Sequence, residues 1–281
     1  MGEPSKKRPT IGVALSGGAA HGFAHIGVLK VLHEAGIPID HLVGTSAGSV
    51  IGAAYASGTS FEEMTEVCST MHWRDIAKLT LSKRGLASIH HSQRVLDRLI
   101  KVETFEQLQP RFYAVTTDIR TGEIIVLSRG NLKTAVQASC AIPGLFIPVE
   151  IQGRFLVDGG LAANLPVLPL RQLGVDKIIA VNVSTRPDPR HPPQNFFQIV
   201  LQSMFIMGNA AMRSARENAH VMIEPVVHDF AWDDFEHCHE IARAGELAMR
   251  QFLPKIQAWL PASKRSVWGW VRSVFSPVPG A

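Results

Sequence analysis

The sequence predicts an α/β fold, a three-layer sandwich in which a mostly parallel central sheet lies between helices on both faces. Short apolar runs rich in β-branched residues recur along the chain, and most are followed by segments whose apolar residues have helical spacing. This alternation is typical of parallel strands joined by right-handed crossovers. With 281 residues, 46% of them hydrophobic, the chain is long enough for one large domain with a full core.

The chain opens with a strand, a helix, a second strand and a second helix. Residues 11–15, IGVAL, are an apolar run that ends in a glycine-rich turn, and residues 22–36 follow with helical spacing. Residues 41–45, HLVGT, predict the second strand, and residues 47–58 predict the second helix. Residues 61–110 are also expected to be helical.

The next segments predict a hairpin, a helix and a short strand. RFYAVTTDI and EIIVLSR flank Arg120-Thr121-Gly122, which predicts a β-hairpin. Residues 131–144 predict a helix stopped by Pro143, and FLVDGG predicts a short strand with a turn. Beyond them, DKIIAVNVS predicts a buried strand, residues 185–195 a proline-rich loop, residues 196–218 a long helix and HVMIEP a last strand.

We therefore expect one α/β domain with a tail at each end. The expected segments are a disordered tail at 1–10, a core at 11–171, the remainder of the same domain at 172–262 and an amphipathic tail at 263–281.

Composition excludes several functional classes. The formal net charge is only +4 and no polybasic stripe occurs, which argues against nucleic acid as a partner. The three cysteines are widely spaced without a CxxC pair, which argues against a disulfide framework or a zinc site. No signal peptide and no apolar run of spanning length is visible, so we expect a cytoplasmic protein, with peripheral contact at the inner membrane surface as an option.

The pentapeptide Gly44-Thr45-Ser46-Ala47-Gly48 lies where the second strand meets the second helix. In this context G-x-S-x-G is typical of a nucleophile elbow, in which a strained turn exposes the serine oxygen. The N-terminus of the following helix favours a developing oxyanion. The alternative is a tight structural turn that happens to contain a serine.

Two further segments have more than one interpretation. LSGGAAHG at 15–22 departs from the dinucleotide and P-loop patterns, but its small residues suit an oxyanion hole of backbone N–H groups, or a plain strand-to-helix turn. Asp158 follows an apolar strand and precedes two glycines, which suits a general base at the edge of the sheet, or an ordinary Asp-Gly turn.

Taken together, GGAAHG, GTSAG and DGG, in this order and on these elements, resemble the patatin-like phospholipases. The resemblance includes ASCAIPGLFIPV at 138–149 and covers residues 11–171. It implies a patatin-like catalytic core with a Ser–Asp dyad and no metal or cofactor. Ser46 would be the nucleophile and Asp158 the base. The oxyanion hole would fall on the N–H groups of Gly18 and Ala19, with Gly17 shaping the turn.

Two positions depart from the family's pattern. The family usually has glycine where Ala19 stands, and backbone donation by Ala19 is expected to survive if its φ is negative. The family usually has arginine or lysine where His21 stands, so His21 is a candidate for oxyanion support without a fixed positive charge.

The resemblance implies a phospholipid or another lipid ester as the substrate, hydrolysed through an acyl-enzyme. Met204, Phe205, Met207 and Met212 are candidates for an acyl-chain groove, or else belong to the core.

Two alternative functions stay open. One is a Ser-His-Asp esterase that uses a later histidine, with His228 the nearest candidate, and the other is a non-catalytic regulatory protein on the same fold.

The tail at 263–281 has the pattern of an amphipathic helix. Val267, Trp270, Val271 and Val274 share one helical face, and Arg265 lies on the other side. Tryptophan with basic residues is typical of an interfacial membrane anchor, but the same face could dock on the protein itself or on a second subunit. The sequence leaves the lipid head group, the acyl position and the oligomeric state open.

Overall fold

The computed structural model contains an eight-stranded mixed sheet with helices on both faces, which confirms the predicted three-layer α/β fold. It describes residues 8–72, 75, 78–82, 85–184, 192–193, 199, 202–203, 206–208 and 212–261. The strands of this sheet are β1 (Ile11–Leu15), β2 (His41–Thr45), β5 (Arg111–Asp118), β6 (Ile124–Leu127), β7 (Val149–Ile151), β8 (Arg154–Asp158), β9 (Lys177–Val181) and β10 (Val221–Ile223), and a separate hairpin consists of β3 (Lys78–Ser82) and β4 (Gly85–Ser88).

The helices alternate with the strands through the first part of the chain, as the sequence predicts. Those in the described residues are α1 (Ala24–Glu34), α2 (Ala47–Ala56), α3 (Phe61–Ser69), α4 (Gln93–Leu99), α5 (Leu132–Ser139), α6 (Gly160–Ala163), α7 (Val167–Gln172), α8 (Met212–Asn218) and α9 (Cys238–Gln257). A 3₁₀ helix at Ala19–Phe23 joins β1 to α1.

The order of strands in the sheet is β10-β9-β1-β2-β5-β8-β7, and β6 also pairs with β5. The strands from β10 to β5 are parallel to one another. β6 and β8 run antiparallel to β5, and β7 runs antiparallel to β8. The sheet is therefore parallel at its centre and antiparallel at one side.

Alternate residues of the central strands fill two separate cores, one on each face of the sheet. Ile11, Val13 and Leu15 of β1 belong to the larger core, beneath α1, α2, α3 and α9. Ala14 belongs to the smaller core on the other face, together with Leu170 of α7. This alternation follows from the period of two in a strand, and it explains why the central strands are apolar at nearly every position.

The expectation of helix throughout residues 61–110 was wrong in the middle of that range. Lys78–Ser82 and Gly85–Ser88 pair as antiparallel strands, β3 with β4, rather than forming a helix. The sequence KLTLSKRGLAS alternates polar and apolar residues around Arg84-Gly85, which is a strand pattern with a turn. The helix predicted to run to Pro143 also ends earlier, at Ser139, and Asn131 caps its N-terminus by accepting the Thr134 N–H at 2.8 Å.

Helix α9 was not anticipated from the sequence, and it packs closely on α1. Two glycines permit this approach. A Cβ on Gly27 of α1 would overlap the backbone carbonyl of Ala242, and a Cβ on Gly245 of α9 would overlap the carbonyl of Ala24. Backbone carbonyls inside helices cannot turn aside, so the two axes can come this close only without side chains at these positions.

Gly27→Ala should therefore destabilise the protein by about 3 kcal/mol, because the added methyl group forces α1 away from α9. Chemical denaturation measures the change. Gly12→Ala is the matched control, since its methyl group meets the end of the Leu170 side chain at 2.8 Å rather than backbone. Equal costs for the two variants would show that the glycine contact does not set the distance between the helices.

The predicted tails lie largely outside the described residues. Residues 1–7 and 262–281, which include the amphipathic segment, are not described. Within the predicted N-terminal tail, Arg8 forms a 2.7 Å ion pair with Asp40, and the Thr10 N–H donates to Asp176 at 2.8 Å. Within the described part of the chain, no helix combines the length and hydrophobicity needed to span a bilayer.

Candidate active site

Ser46 occupies a strained turn between β2 and α2. Its φ of 51° and ψ of −124° lie outside the regions that non-glycine residues favour. The flanking glycines allow the backbone to fold back on itself here. A Cβ on Gly44 would overlap the carbonyl of Gly48, and a Cβ on Gly48 would lie 2.5 Å from the carbonyl oxygen of Leu15. The geometry is that of a serine presented on a sharp strand-to-helix turn.

Hydrogen bonds from neighbouring elements hold this turn in place. The Ser46 N–H donates to the Ser139 hydroxyl at 2.9 Å, and that hydroxyl donates to the carbonyl of Val115 at 2.6 Å. The Ser49 hydroxyl donates to the Ser46 carbonyl at 2.6 Å. Ser139 was not identified from the sequence, although it lies in the segment ASCAIPG that contributed to the family resemblance. Because it is fully buried and connects β5 to the Ser46 turn, Ser139 is a positioning residue.

The glycine-rich loop after β1 presents two free backbone N–H groups beside Ser46. The Ser16 N–H donates to Val181 O at 3.0 Å, and the Gly17 N–H donates to Asn164 O at 3.2 Å. The N–H groups of Ala20 and His21 also have backbone acceptors. Among the described residues, the N–H groups of Gly18 and Ala19 have no protein acceptor, so they are available to a ligand.

Two residues that the sequence did not single out anchor the same loop. The fully buried His25 contacts the Ser16 carbonyl through Nε2 at 2.8 Å, and burial lowers its pKa to about 4, so it is neutral and donates this hydrogen bond. Asn164 accepts the Gly17 N–H through its backbone and donates through its side chain to the Ser184 hydroxyl at 2.7 Å. The peptide unit between Ser16 and Gly17 is therefore fixed at both its carbonyl and its N–H.

Ala19 does not meet the condition expected from the sequence. Its φ is +48°, in the left-handed region that favours glycine, rather than negative. The N–H is still free of protein acceptors, so the conformation does not remove the donor. The consequence is backbone strain, at a position where the family usually has glycine.

Ala19→Gly should therefore relieve strain, and the folded protein should be stabilised by ~0.5 kcal/mol, the left-handed cost being partly offset by the greater freedom of glycine in the unfolded chain. Ala20→Gly is the control, because Ala20 has no positive φ and is completely buried. It should lose ~1 kcal/mol. Thermal or chemical unfolding measures both variants. If Ala19→Gly lost as much stability as Ala20→Gly, Ala19 would carry no strain.

The His21 side chain contacts the backbone of a neighbouring segment instead of facing solvent. Its side chain is buried, and its Nε2 lies 2.9 Å from the carbonyl oxygen of Phe230. Burial lowers its pKa below the usual value, despite opposing interactions with backbone carbonyls and Asp234. His21 is therefore neutral at neutral pH and supplies no fixed positive charge. Its support of an oxyanion stays a prediction.

The register of the strands in the sheet places Asp158 near Ser46. Thr45 pairs with Val115 of β5, and Asp158 at the end of β8 pairs with the next residue, Thr116. Although β8 runs against β2, the register brings its last residue level with the end of β2. The chain then crosses β5 at Gly159, where a Cβ would overlap the carbonyl of Val115.

The Asp158 carboxyl is buried, which raises its pKa to about 6. The interaction with the Ser46 side chain and a 2.7 Å hydrogen bond from the Gly160 N–H lower the pKa and oppose the effect of burial. A carboxyl group with this pKa is mostly ionised at neutral pH and is still basic enough to take a proton.

Cys140 lies beside both residues, and its thiol is a poor nucleophile. Burial, together with the Asp158 charge, raises the pKa of its thiol to about 12. A thiol with this pKa stays protonated at neutral pH and reacts poorly.

An apolar cavity of about 120 Å³ begins at Ser46. Residues on α2, α3, α4 and α5 form its walls, among them Val50, Leu96 and Val136, together with Phe146 from the segment after α5. No residue with a charged side chain is among the described residues that line it. The segment 61–110, expected to be merely helical, thus supplies much of this wall.

The described residues of the predicted methionine groove, Met207 and Met212, do not line this cavity. Met212 belongs to the smaller core on the opposite face of the sheet, and the Met207 side chain is 67% exposed. Met204 and Phe205 lie outside the described residues. The helical spacing of these residues indicated an apolar face, but it could not indicate which side of the sheet that face covers.

The described histidines after Asp158 make other contacts. His228 is exposed and lies 3.8 Å from Asp229, the His220 Nδ1 accepts the Ile178 N–H, and His237 pairs with Asp234 at 2.7 Å. In the part of the chain that the structure describes, no hydrogen bond joins any of them to Ser46 or Asp158. The described residues also contain no cluster of His, Cys, Asp and Glu side chains arranged to hold a metal ion.

Comparisons with known proteins identify the family of this chain. Residues 13–171 match the family model described as patatin-like phospholipase. An uncharacterised protein of the NTE family from Mycobacterium bovis is 35% identical over 179 residues, which cover 63% of this chain and 49% of that protein. The chain thus spans about half the length of this relative.

A second relative and one solved structure extend the similarity to the C-terminal part. The lysophospholipase NTE1 of Yarrowia lipolytica is 28% identical over 280 residues, covering 88% of this chain and 20% of that protein. The crystal structure of VipD from Legionella pneumophila superposes with a TM-score of 0.51 at 16% identity, over 89% of this chain and 67% of that one, and shows a similar fold. Because the family model matches more than half of the sequence, the chain belongs to the patatin-like phospholipase family.

Proposed function

We propose that this protein hydrolyses the ester bonds of lipids through a Ser46–Asp158 dyad. The observation that carries the proposal is the meeting of four features at one point. A serine on a strained turn interacts with a buried carboxylate, and both lie beside free N–H groups at the start of an apolar cavity.

In the first half of the reaction, the Ser46 Oγ attacks the ester carbonyl carbon and its proton passes to the Asp158 carboxylate. The negative charge that develops on the carbonyl oxygen accepts hydrogen bonds from the Gly18 and Ala19 N–H groups. Because these donors are fixed before the reaction, they need no reorganisation as the charge appears. The tetrahedral intermediate then expels the alcohol, which takes the proton from Asp158, and leaves the acyl group on Ser46.

In the second half, a water molecule attacks the acyl-enzyme and gives its proton to Asp158. The same two N–H groups stabilise the second tetrahedral intermediate. Its collapse releases the fatty acid and returns the proton to Ser46. The raised pKa of Asp158 supports this role, because a carboxylate that is already partly protonated near neutral pH accepts and returns a proton with less loss of driving force.

The apolar cavity supports a lipid substrate. Its described lining contains no charged side chain, so it suits an acyl chain better than a polar head group. The lysophospholipases among the relatives support a phospholipid or lysophospholipid as the source of that chain.

Labelling with a fluorophosphonate probe tests the proposal most directly. The wild-type protein should be labelled and should hydrolyse a lysophospholipid and a short-chain ester, whereas Ser46→Ala should lose labelling and lower both rates by at least ~10³-fold. Persistent labelling or hydrolysis in Ser46→Ala would place the nucleophile elsewhere. A wild-type protein that is neither labelled nor active would favour the non-catalytic alternative.

A further inference from the structure

The cavity beside Ser46 contains one buried polar side chain that the proposed reaction does not use. Its described lining is apolar except for Ser46, Ser92 and Gln137. The Ser92 hydroxyl is satisfied, since it donates to the Ile89 carbonyl at 2.7 Å. Gln137 on α5 is only 2% exposed. An amide buried in an acyl-chain cavity is costly unless both of its polar ends have partners.

A chain of hydrogen bonds fixes the orientation of this amide. Lys133 is an ion-pair partner of Asp97 at 2.8 Å, and Asp97 accepts the Gln93 Nε2 at 2.9 Å. Because a carboxylate can only accept here, Gln93 must present its Oε1 on the other side. That oxygen accepts the Gln137 Nε2 at 3.2 Å, so the nitrogen of Gln137 points to α4 and its oxygen is left over.

Among the described residues, no donor reaches the Gln137 Oε1, and Gln137 lines the cavity. Gln137 lies three residues before Cys140, whose thiol interacts with Ser46. Three residues advance ~4.5 Å along a helix, roughly the length of three to four carbon–carbon bonds. On the cavity wall, Gln137 therefore lies about one helical turn from Cys140, the residue that contacts Ser46.

We propose that Gln137 is a specificity-determining residue that accepts a hydrogen bond from a hydroxyl group on the substrate's acyl chain, a few carbons from the ester carbonyl. The inference rests on the proposed function in assigning the cavity to the acyl chain. An unsubstituted chain leaves the amide oxygen unpaired, whereas a hydroxyl at the right carbon pairs with it. The preferred substrates are thus esters of hydroxylated rather than plain fatty acids.

Ligand binding to the full-length Ser46→Ala protein tests this without requiring hydrolysis. The probes are methyl octanoate, its monohydroxy positional isomers, and the corresponding methoxy compounds, which keep the oxygen but lack the donor. Calorimetry should show that one hydroxy isomer binds about tenfold more tightly than methyl octanoate, equivalent to ~1.4 kcal/mol. Its methoxy counterpart should show no gain.

Two further variants in the Ser46→Ala background assign the effect to Gln137. Gln137→Leu should abolish the gain for the hydroxy isomer and bind methyl octanoate at least as well as before. Gln93→Leu removes the Oε1 that accepts the Gln137 Nε2, together with the Gln93 hydrogen bond to Asp97. The Ser92 hydroxyl still lies 3.5 Å from the Gln137 Nε2, so the gain should shrink without disappearing. Gln93→Leu also keeps the inference testable if Gln137→Leu fails to fold.

Three results would overturn the inference: no hydroxy isomer binding better than methyl octanoate, a methoxy compound binding as well as its hydroxy counterpart, or the gain persisting in Gln137→Leu. Failure of the proposed function would give a different set of results from failure of this inference. In that case the wild-type protein would resist fluorophosphonate, while the Gln137-dependent preference in binding would remain.

Discussion

Asp158→Asn should nearly abolish ester hydrolysis while making the folded protein more stable above about pH 6. Loss of the general base should lower kcat by ~10²–10⁴-fold, because asparagine cannot take the serine proton. In the wild-type protein, kcat/KM should fall below a pKa of about 6, where Asp158 becomes protonated.

The gain in stability follows from the raised pKa of the buried carboxyl. Below about pH 4, Asp158 is neutral in both the folded and the unfolded protein, so aspartate and asparagine differ little. As the pH rises to about 6, the carboxyl ionises readily only in the unfolded chain, and the wild-type protein loses stability. A pKa shift from 3.8 to about 6 corresponds to a loss of ~3 kcal/mol in the free energy of unfolding of the wild-type protein. Above about pH 6, the asparagine variant should be more stable than the wild-type protein by this full amount.

Urea denaturation at pH 4 and pH 8, together with a pH profile of short-chain ester hydrolysis, measures both effects. Asp229→Asn is a suitable control, because Asp229 is exposed and should change neither quantity appreciably. Near-normal turnover in Asp158→Asn would exclude the dyad. An equal change in stability at pH 4 and pH 8 would show instead that the ionisation of Asp158 does not cost the fold stability.

The central part of the fold could be predicted because its signals are local. The apolar runs before Gly17 and Gly44 and the helical spacing after them specify strands and helices without reference to distant residues. The direction of β8 could not be predicted, because the sequence of a five-residue strand does not indicate parallel or antiparallel pairing. The close packing of α9 on α1 likewise depends on two glycines far apart in sequence, Gly27 and Gly245.

In the candidate site, too, some residues could be predicted from the sequence and others could not. Ser46 and Asp158 lie in short motifs that mark turns at strand ends, so they could be proposed from the sequence. Three residues that hold the site in place were missed: Ser139, His25 and Asn164. Each of them forms a hydrogen bond with the backbone of Ser46 or of the glycine-rich loop, and a contact of this kind leaves no spacing pattern in the sequence. The wall of the cavity was misassigned for a related reason. Apolar periodicity identifies a buried face but does not identify the partner that covers it.

Gly18→Val should lower kcat by ~10²–10³-fold with little change in KM, the effect expected when an oxyanion donor is displaced. A Cβ at Gly18 would lie 2.6 Å from the carbonyl oxygen of Val183. Val183 is buried, and its N–H donates to the Ser16 hydroxyl at 2.9 Å, so the segment after β9 cannot yield. The loop must move instead, and it carries the N–H groups of Gly18 and Ala19 away from the carbonyl oxygen of the substrate.

Steady-state kinetics with a short-chain ester and the rate of fluorophosphonate labelling measure this loss, and thermal unfolding verifies that the variant is folded. Because the first added carbon already meets Val183, Gly18→Ala should show most of the loss, with β-branching adding little. Gly12→Ala, an equal change on β1 that meets only side-chain atoms, should keep normal activity. A folded Gly18→Ala protein with wild-type kcat would mean that the Gly18 N–H does not bind the oxyanion, and the hole would have to be assigned to other donors.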